Sequence, residues 1–262
     1  MALFAFDRET ALLREYFSKS GLGGKALEEA VLLAKDEIAK GKPLAYIIKE
    51  EAFYDLVFYV DERVLIPRPD TERLVEKVLA FLPKGGHILD LGTGSGCIPI
   101  TVLKHRPDAF GKALDLSPDA LCVAKKNADL VGVADRLAFV QGDMTQNPFG
   151  EEQFDAILSN PPYIPREDIK KYPSLSYEPQ MALDGGVDGF DFYRAILSLY
   201  RNNLKAGGGF FFEIGFDQGE AMRFLAKTLD YTCEIYKDYG KNDRVAVLFP
   251  MTKEICHENT GA

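Results

Sequence analysis

The sequence has few of the side chains that build metal centres and covalent catalytic sites. Zinc sites and histidine-based triads need histidines in clusters or at fixed spacing, but here they are scattered, at His87, His105 and His257. The cysteines form no C-x-x-C pair and stand at Cys97, Cys122, Cys233 and Cys256. We therefore expect no metal site, and we expect these thiols to be reduced and mostly buried, as in a cytoplasmic protein.

The chain also lacks a membrane-length apolar run and an excess of positive charge. No apolar run approaches the roughly 20 residues of a membrane span, and the apolar start meets Asp7 too early for a signal peptide. Lysine and arginine number 31 against 40 acidic residues, a net charge of −9. Proteins that grip phosphate backbones normally carry a basic surface. These deficits predict a cytoplasmic location, no membrane association and no direct binding of nucleic acid.

What is present is an ordinary globular composition, 47% hydrophobic and 27% charged over 262 residues, enough for a large domain and a small one. Two apolar stripes at helical spacing predict a small helical domain over residues 1–50, which we assign to substrate recognition. A β-hairpin and a proline-stiffened linker are predicted over 51–69. Residues 70–262 are expected to form the main domain.

From His87 onward, short apolar strands alternate with helices, which is typical of a doubly wound, mostly parallel α/β sheet. Two successive β-rich runs, 233–236 and 244–249, predict an antiparallel hairpin at one edge. A helix is expected over 189–204. The stretch 164–188 has no clear periodicity, and so long a loop in a compact domain is usually functional. We predict that it forms a lid.

The first strand of this region ends in a carboxylate and a glycine loop, where doubly wound sheets bind ligands. These residues are Asp90 and the run Gly92-Thr93-Gly94-Ser95-Gly96. The dinucleotide pattern G-x-G-x-x-G fails in both registers, because its last position falls on Cys97 or Pro99. A carboxylate repels a pyrophosphate but attracts an ammonium group, while a helix N-terminus attracts a carboxylate. The loop therefore predicts a site for an amino-acid zwitterion such as that of S-adenosylmethionine.

Acidic residues also end the next two strands. Asp115, 25 residues after Asp90, is placed to accept both ribose hydroxyls. Asp143 can accept from an adenine amino group, and Met144 can lie on the adenine face. Singly, such aspartates are more often helix caps or turn residues. Their recurrence at successive strand ends favours the cofactor site.

A stiff turn follows the strand at 154–158, with the sequence Asn160-Pro161-Pro162-Tyr163. The prolines fix φ and remove two backbone donors, so the carbonyls of Asn160 and Pro161 are expected to face outward as acceptors. The Asn160 side chain adds Oδ1, and Tyr163 adds a flat apolar face. The turn thus predicts a site for a planar NH2 group. The alternative is a purely structural turn, for which these residue types are common.

Together these motifs resemble the HemK-type protein-(glutamine-N5) methyltransferases, which modify class 1 peptide-release factors. The similarity covers nearly everything from Pro43 to Phe249. The segments that carry it include Val64-Leu65-Ile66-Pro67-Arg68-Pro69-Asp70-Thr71-Glu72, residues 88–98, residues 158–164, and Glu178-Pro179. The run from Ile66 to Glu72 is far more specific than Asn160-Pro161-Pro162-Tyr163, which DNA adenine methyltransferases share. Residues 1–42 look shorter than the family's N-terminal domain. Lys49 stands where the family usually has glycine, and Pro99 where it has a small residue.

The resemblance implies a class I S-adenosylmethionine-dependent methyltransferase that modifies the GGQ glutamine of a release factor. Asn160 and the Pro161 carbonyl would accept the two N–H bonds of the target amide, with Tyr163 packed on it and Pro162 beside it. Asn160 is assigned to the cofactor site as well. Three alternatives stay open: an adenine-N6 methyltransferase of nucleic acid, a glutamine methyltransferase of a ribosomal protein, and a translation-associated binding protein without catalysis.

Overall fold

The computed structural model describes residues 2–251, and the side chains of residues 8–251. At the N-terminal side of this range lie the helices α1 (Ala2–Lys19), α2 (Gly24–Ala39) and α3 (Leu44–Ile48). Leu13, Val31 and Ala34 form a small buried core between them. So small a core stabilises little alone. Tyr46 ties α3 to the next segment, because its buried hydroxyl donates to the Val64 carbonyl at 2.6 Å.

The predicted hairpin follows as β1 (Glu50–Phe53) and β2 (Leu56–Tyr59), paired antiparallel. Its inward rings, Phe53 and Phe58, pack edge to face with centroids 6.0 Å apart. Beyond it runs an irregular segment, residues 64–69, that we call the strap. The strap ends in a 3-10 turn at Pro69–Thr71.

Within the described residues the main sheet has seven strands, in the order β5-β4-β3-β6-β7-β9-β8. They are β3 (His87–Leu91), β4 (Phe110–Asp115), β5 (Leu137–Gln141), β6 (Phe154–Ser159), β7 (Leu204–Glu213), β8 (Tyr231–Lys237) and β9 (Asp243–Pro250). Strands β3 to β7 are parallel, while β9 runs antiparallel to β7 and to β8. The predicted doubly wound sheet with an antiparallel edge is confirmed. The strand order switches between β3 and β6: the chain adds β4 and β5 on one side of β3, and β6 and β7 on the other. Such a switch point is where these sheets bind ligands.

Helices cover both faces of the sheet and bury two separate cores. They are α4 (Glu72–Phe81), α5 (Cys97–His105), α6 (Pro118–Val131), α7 (Asp191–Leu199) and α8 (Gly219–Thr228). Leu74, Ile100 and Val123 bring α4, α5 and α6 into one core. Ile196 and Met222 bring α7 and α8 into the other. Among residues 2–251 no helix is both long and apolar enough to cross a bilayer.

The helix predicted over 189–204 is wrong at both ends. Gly189 has a φ of +79° and stays outside α7, which begins at Asp191. At the other end a 3-10 turn follows α7, and Leu204 already begins β7. The buried Asn203 side chain fixes this change of direction, since it donates to the carbonyls of Gly150 and Glu152 at 2.9 and 2.7 Å.

The lid, residues 164–188, is built from 3-10 turns and a single β-bridge between Ile164 and Asp184. Its contact with the strap runs through Glu178, whose buried carboxylate accepts from the Ile66 N–H at 3.1 Å and forms an ion pair with Arg68. The irregular segment is therefore tied down in this structure. Its function as a lid stays a prediction.

The cysteines are less buried than expected. Cys97 is buried, Cys233 half-buried and Cys122 exposed on the outer side of α6. The prediction of mostly buried thiols is therefore wrong for the described part of the chain. Cys256, like His257, lies outside the described residues.

The two departures from the family's pattern have different consequences. Lys49 ends α3 with a φ of +58°, in the left-handed region where a side chain is strained, so a glycine suits this position better. Pro99 lies in the first turn of α5, where a backbone N–H has no helical partner to lose. The proline is therefore tolerated there.

Candidate active site

The glycine loop between β3 and α5 is held by main-chain bonds and close packing. Gly92 and Thr93 both donate their N–H groups to the Leu114 carbonyl, at 2.8 and 3.0 Å. Gly96 has a φ of +79°, and a Cβ there would lie 2.7 Å from Ile100 Cδ1. A Cβ on Gly92 would lie 2.8 Å from Met144 Cε, and both residues line a cavity described below. The loop therefore leaves a space that a side chain would fill.

Asp90, in β3 just before this loop, is a fully buried carboxylate, and neither of its oxygens has a hydrogen-bond partner among the described residues. The Thr93 hydroxyl lies beside it, also unpartnered. Burial raises the pKa of Asp90 to about 7, with Asp115 adding to the rise and Thr93 opposing it. An ionised carboxylate in such surroundings is costly unless a cation pairs with it.

Asp115 both shapes the loop and keeps capacity for a ligand. Its Oδ2 accepts from the Gly94 N–H at 2.8 Å, and its Oδ1 from the Ser117 N–H at 2.9 Å. Each carboxylate oxygen has two lone-pair sites, so one site on each remains for a ribose hydroxyl. Burial raises the pKa of Asp115. The structural and the cofactor roles considered for this residue are therefore compatible.

One carboxylate oxygen of Asp143 is already used by hydrogen bonds within its own turn. Its Oδ1 accepts from both the N–H and the hydroxyl of Thr145, each at 2.7 Å. Its Oδ2 has only a long contact, 3.4 Å, with Gln146 Nε2. The turn-forming alternative thus holds for one oxygen. The other oxygen is the one left for an adenine amino group.

Most of the predicted site residues line one cavity of about 440 Å³, a size suited to a small-molecule cofactor. They are Gly92, Thr93, Gly94, Ser95, Asp115, Asp143, Met144, Asn160 and Pro162. Asp90, Gly96, Pro161 and Tyr163 do not line it. Tyr163 instead lines an adjoining cavity of about 190 Å³, in whose wall Asn160 also stands. Asn160 therefore lies between the two cavities.

Within residues 2–251, the oxygens predicted to accept from a target amide have no hydrogen-bond partner. No donor in residues 2–251 bonds Asn160 Oδ1 or the main-chain oxygens of Asn160 and Pro161. The Asn160 amide nitrogen lies 3.5 Å from Thr71 Oγ1. The Tyr163 hydroxyl lies 3.3 Å from Glu213 Oε1. Burial and the neighbouring Glu213 carboxylate raise the pKa of Tyr163, which keeps this phenol neutral.

Several residues of the site were not foreseen. Thr71 precedes α4, yet its hydroxyl makes no cap bond and donates instead to Glu213 Oε2 at 2.5 Å. Glu213 ends the apolar strand β7, so the reasoning applied to Asp90 and Asp115 could have found it. Gln218 Nε2 donates to the Tyr163 carbonyl at 3.2 Å. No sequence pattern predicts that bond.

Comparison with known proteins agrees with this geometry. Residues 70–172 match the family model described as Methyltransferase small domain. The solved catalytic domain of hMettl16, in complex with MAT2A 3'UTR hairpin 1, shares the fold with a TM-score of 0.61 at 15% identity, over 75% of this chain and 76% of that chain. The fold and the glycine-lined cavity define a class I methyltransferase that uses S-adenosylmethionine.

Relatives with much higher identity narrow this class to one family. The release factor glutamine methyltransferase of Neisseria gonorrhoeae is 43% identical over 233 residues, covering 86% of this chain and 84% of that protein. The release factor glutamine methyltransferase of Chlorobaculum tepidum is 39% identical over 233 residues, covering 82% of this chain and 77% of that protein. The chain belongs to the release factor glutamine methyltransferase family.

Proposed function

We propose that this chain methylates the side-chain amide nitrogen of a glutamine in class 1 peptide chain release factors, at their GGQ motif. The observation that carries the proposal is the set of oxygens at Asn160 and Pro161, which no donor in residues 2–251 bonds, with Asn160 in the wall of the cofactor-sized cavity. A primary amide presents two N–H donors in one plane, which such oxygens can accept. The names of the curated relatives support the release factor as the substrate. The cytoplasmic location stays a prediction.

The residues around the glycine loop fit S-adenosylmethionine, which when bound supplies an electrophilic methyl group on a sulfonium. The orphaned Asp90 carboxylate suits the ammonium group, and the space beside Gly92 admits a ligand where a Cβ would block it. Asp115 keeps capacity for the ribose hydroxyls. Asp143 keeps one oxygen for the adenine amino group.

The task of the protein is to position a weak nucleophile. An amide nitrogen shares its lone pair with the carbonyl, so methylation needs the nitrogen held in line and its developing positive charge stabilised. Asn160 Oδ1 and the Pro161 carbonyl would do both by accepting the two N–H bonds. Tyr163 would pack against the amide plane. No strong base is required, because the nitrogen becomes very acidic as the methyl group arrives.

Label transfer from tritiated S-adenosylmethionine tests the substrate. We expect label in a release factor, none in a variant whose GGQ glutamine is replaced by alanine, and none in DNA. Label in DNA would favour adenine methylation instead. Label in the alanine variant of the release factor would show that another residue is the acceptor.

Substitutions at Asn160 test the assigned role. Asn160→Ala and Asn160→Asp should lower the single-turnover rate by about 10²-fold or more, the scale for a lost transition-state partner. Cofactor affinity, measured by calorimetry, should fall much less. Asn202→Ala is a control, because that side chain is exposed and away from both cavities. An equal loss of rate and affinity in the Asn160 variants would refute the role.

A further inference from the structure

Two buried polar residues that were not predicted as site residues meet beside the proposed amide site. Thr71 and Glu213 are each only 2% exposed. One comes from the turn after the strap and the other from the end of β7. The Thr71 hydroxyl donates to Glu213 Oε2 at 2.5 Å. The other carboxylate oxygen lies 3.3 Å from the Tyr163 hydroxyl.

With Glu213 ionised, the donors and acceptors in this cluster allow one direction for each bond. An ionised carboxylate can only accept, so both hydroxyls must donate to Glu213. The single hydroxyl proton of Thr71 is then used, and its oxygen can meet Asn160 only as an acceptor. Asn160 must therefore turn its NH2 group toward Thr71, at 3.5 Å. Its Oδ1 is left pointing away from Thr71, and no group in residues 2–251 bonds it.

From this chain of contacts we propose that Glu213 and Thr71 are positioning residues, which fix the rotation of the Asn160 amide so that its oxygen meets the target. Through the second carboxylate oxygen, Glu213 also anchors the Tyr163 ring. The identity of the target amide rests on the proposed function. The long contact between Asn160 and Thr71 is of the kind that shortens when a site fills.

The proposal requires Glu213 to be ionised, and its surroundings act on that form in opposite directions. Arg244 lies on the neighbouring strand, and its main-chain carbonyl accepts from the Ile214 N–H at 2.8 Å. Its guanidinium lies 3.4 Å from Asp70 and 3.2 Å from Asp238. Burial raises the pKa of Glu213, while the Thr71 hydroxyl and the Arg244 charge oppose that rise.

Thr71→Val is the sharpest test, because valine keeps the shape of threonine and removes only the hydroxyl. We expect the single-turnover rate of methyl transfer to a release factor to fall about tenfold, the order for one lost hydrogen bond. The Kd for S-adenosylmethionine should stay within about twofold. Thr71→Ser, which restores the hydroxyl, should recover most of the rate.

Thr101→Val is the matched control. Thr101 is also fully buried, its hydroxyl has no partner in the described chain, and it lines neither cavity. It should transfer methyl groups at the wild-type rate. If Thr71→Val is as fast as wild type, or if both valine variants slow equally, the positioning role is wrong. A loss confined to cofactor affinity would also overturn it.

Nuclear magnetic resonance of the ligand-free protein tests the inference without any substrate. The Asn160 amide protons are assigned by their absence in Asn160→Asp. In wild type, the proton bonded to Thr71 should be shifted, and in Thr71→Val it should move toward the value of a free amide. Unchanged resonances would overturn the inference. A wild-type enzyme that labels no release factor, beside a clear resonance shift, would instead refute only the proposed function.

Discussion

Replacing Asp90 by asparagine should stabilise the ligand-free protein and weaken cofactor binding. Asp90 is fully buried, neither oxygen has a partner among the described residues, and burial raises its pKa from 3.8 to about 7. Above pH 7 the folded protein therefore carries a charge that its surroundings disfavour. Asparagine has nearly the same shape and no charge.

The size of the effect follows from that pKa shift. A rise from 3.8 to about 7 corresponds to about 4 kcal/mol at most. An unsatisfied buried amide costs about 1–3 kcal/mol. At pH 8 the variant should therefore be about 1–3 kcal/mol more stable, a Tm rise of several degrees for a chain of this size.

The gain should depend on pH in a fixed direction. Folded Asp90 holds its proton up to about pH 7, while the unfolded carboxyl releases it near pH 4. The folded state therefore binds more protons in that window, and wild-type stability falls as pH rises through it. Near pH 4 the charge cost is absent, and Asp90→Asn should be less stable than wild type by the roughly 1–3 kcal/mol of the unsatisfied amide.

Urea unfolding at pH 5 and pH 8, with calorimetry of S-adenosylmethionine binding, measures both effects. The variant should bind the cofactor at least about tenfold more weakly, as expected for a lost charge-assisted contact. Asp129→Asn, an exposed change on α6, should leave both measurements nearly unchanged. A variant that is no more stable at pH 8 and binds the cofactor normally would refute the reasoning about Asp90.

Three further substitutions have expected outcomes. Gly96→Ala should cost about 2–3 kcal/mol in urea unfolding, because the new Cβ would lie 2.7 Å from Ile100 Cδ1 at a positive φ. Lys49→Gly should stabilise by about 0.5–1 kcal/mol, since it relieves a left-handed conformation. Glu178→Gln should cost about 2 kcal/mol and raise KM for the protein substrate, because it weakens the contact with Arg68 that joins lid and strap.

Each of these expectations can fail in a recognisable way. Gly94 also has a positive φ, but a Cβ there meets nothing within 4 Å, so Gly94→Ala should be the milder change. If the two alanine substitutions lower the free energy of unfolding equally, close packing around Gly96 is not the cause of the loss. A destabilised Lys49→Gly would mean that the ion pair of Lys49 with Glu62 outweighs backbone strain. An unchanged KM for Glu178→Gln would show that this contact between lid and strap does not contribute to binding of the protein substrate.

The sheet could be predicted from the sequence because its signals are local. Apolar strands that end in Asp90, Asp115 and Asn160 set both the alternation and the edge where ligands bind. The C-terminal end of the helix expected over 189–204 was misplaced because Asn203 is held by carbonyls some fifty residues away. The exposure of Cys122 also depends on tertiary packing, since a cysteine carries no local signal for the side of the helix it occupies.

In the site, too, local sequence signals could be predicted, while contacts that depend on tertiary packing could not. Nine predicted residues share one cavity, because each is placed by the end of its own strand or by the turn that follows. Thr71 and Glu213 come together across 142 residues of sequence, and only the fold brings them into contact. Asp90 does not line that cavity, although its carboxylate is buried and has no partner among the described residues, and its contact with the cofactor stays a prediction.

Mass spectrometry of a release factor incubated with S-adenosylmethionine and this protein tests the oxygens at Asn160 and Pro161 most directly. Fragmentation should place a single methyl group on the side-chain amide of the GGQ glutamine with the wild-type enzyme, and almost none with Asn160→Ala. A methyl group on a different residue, or equal methylation by the two enzymes, would contradict the role given to these oxygens.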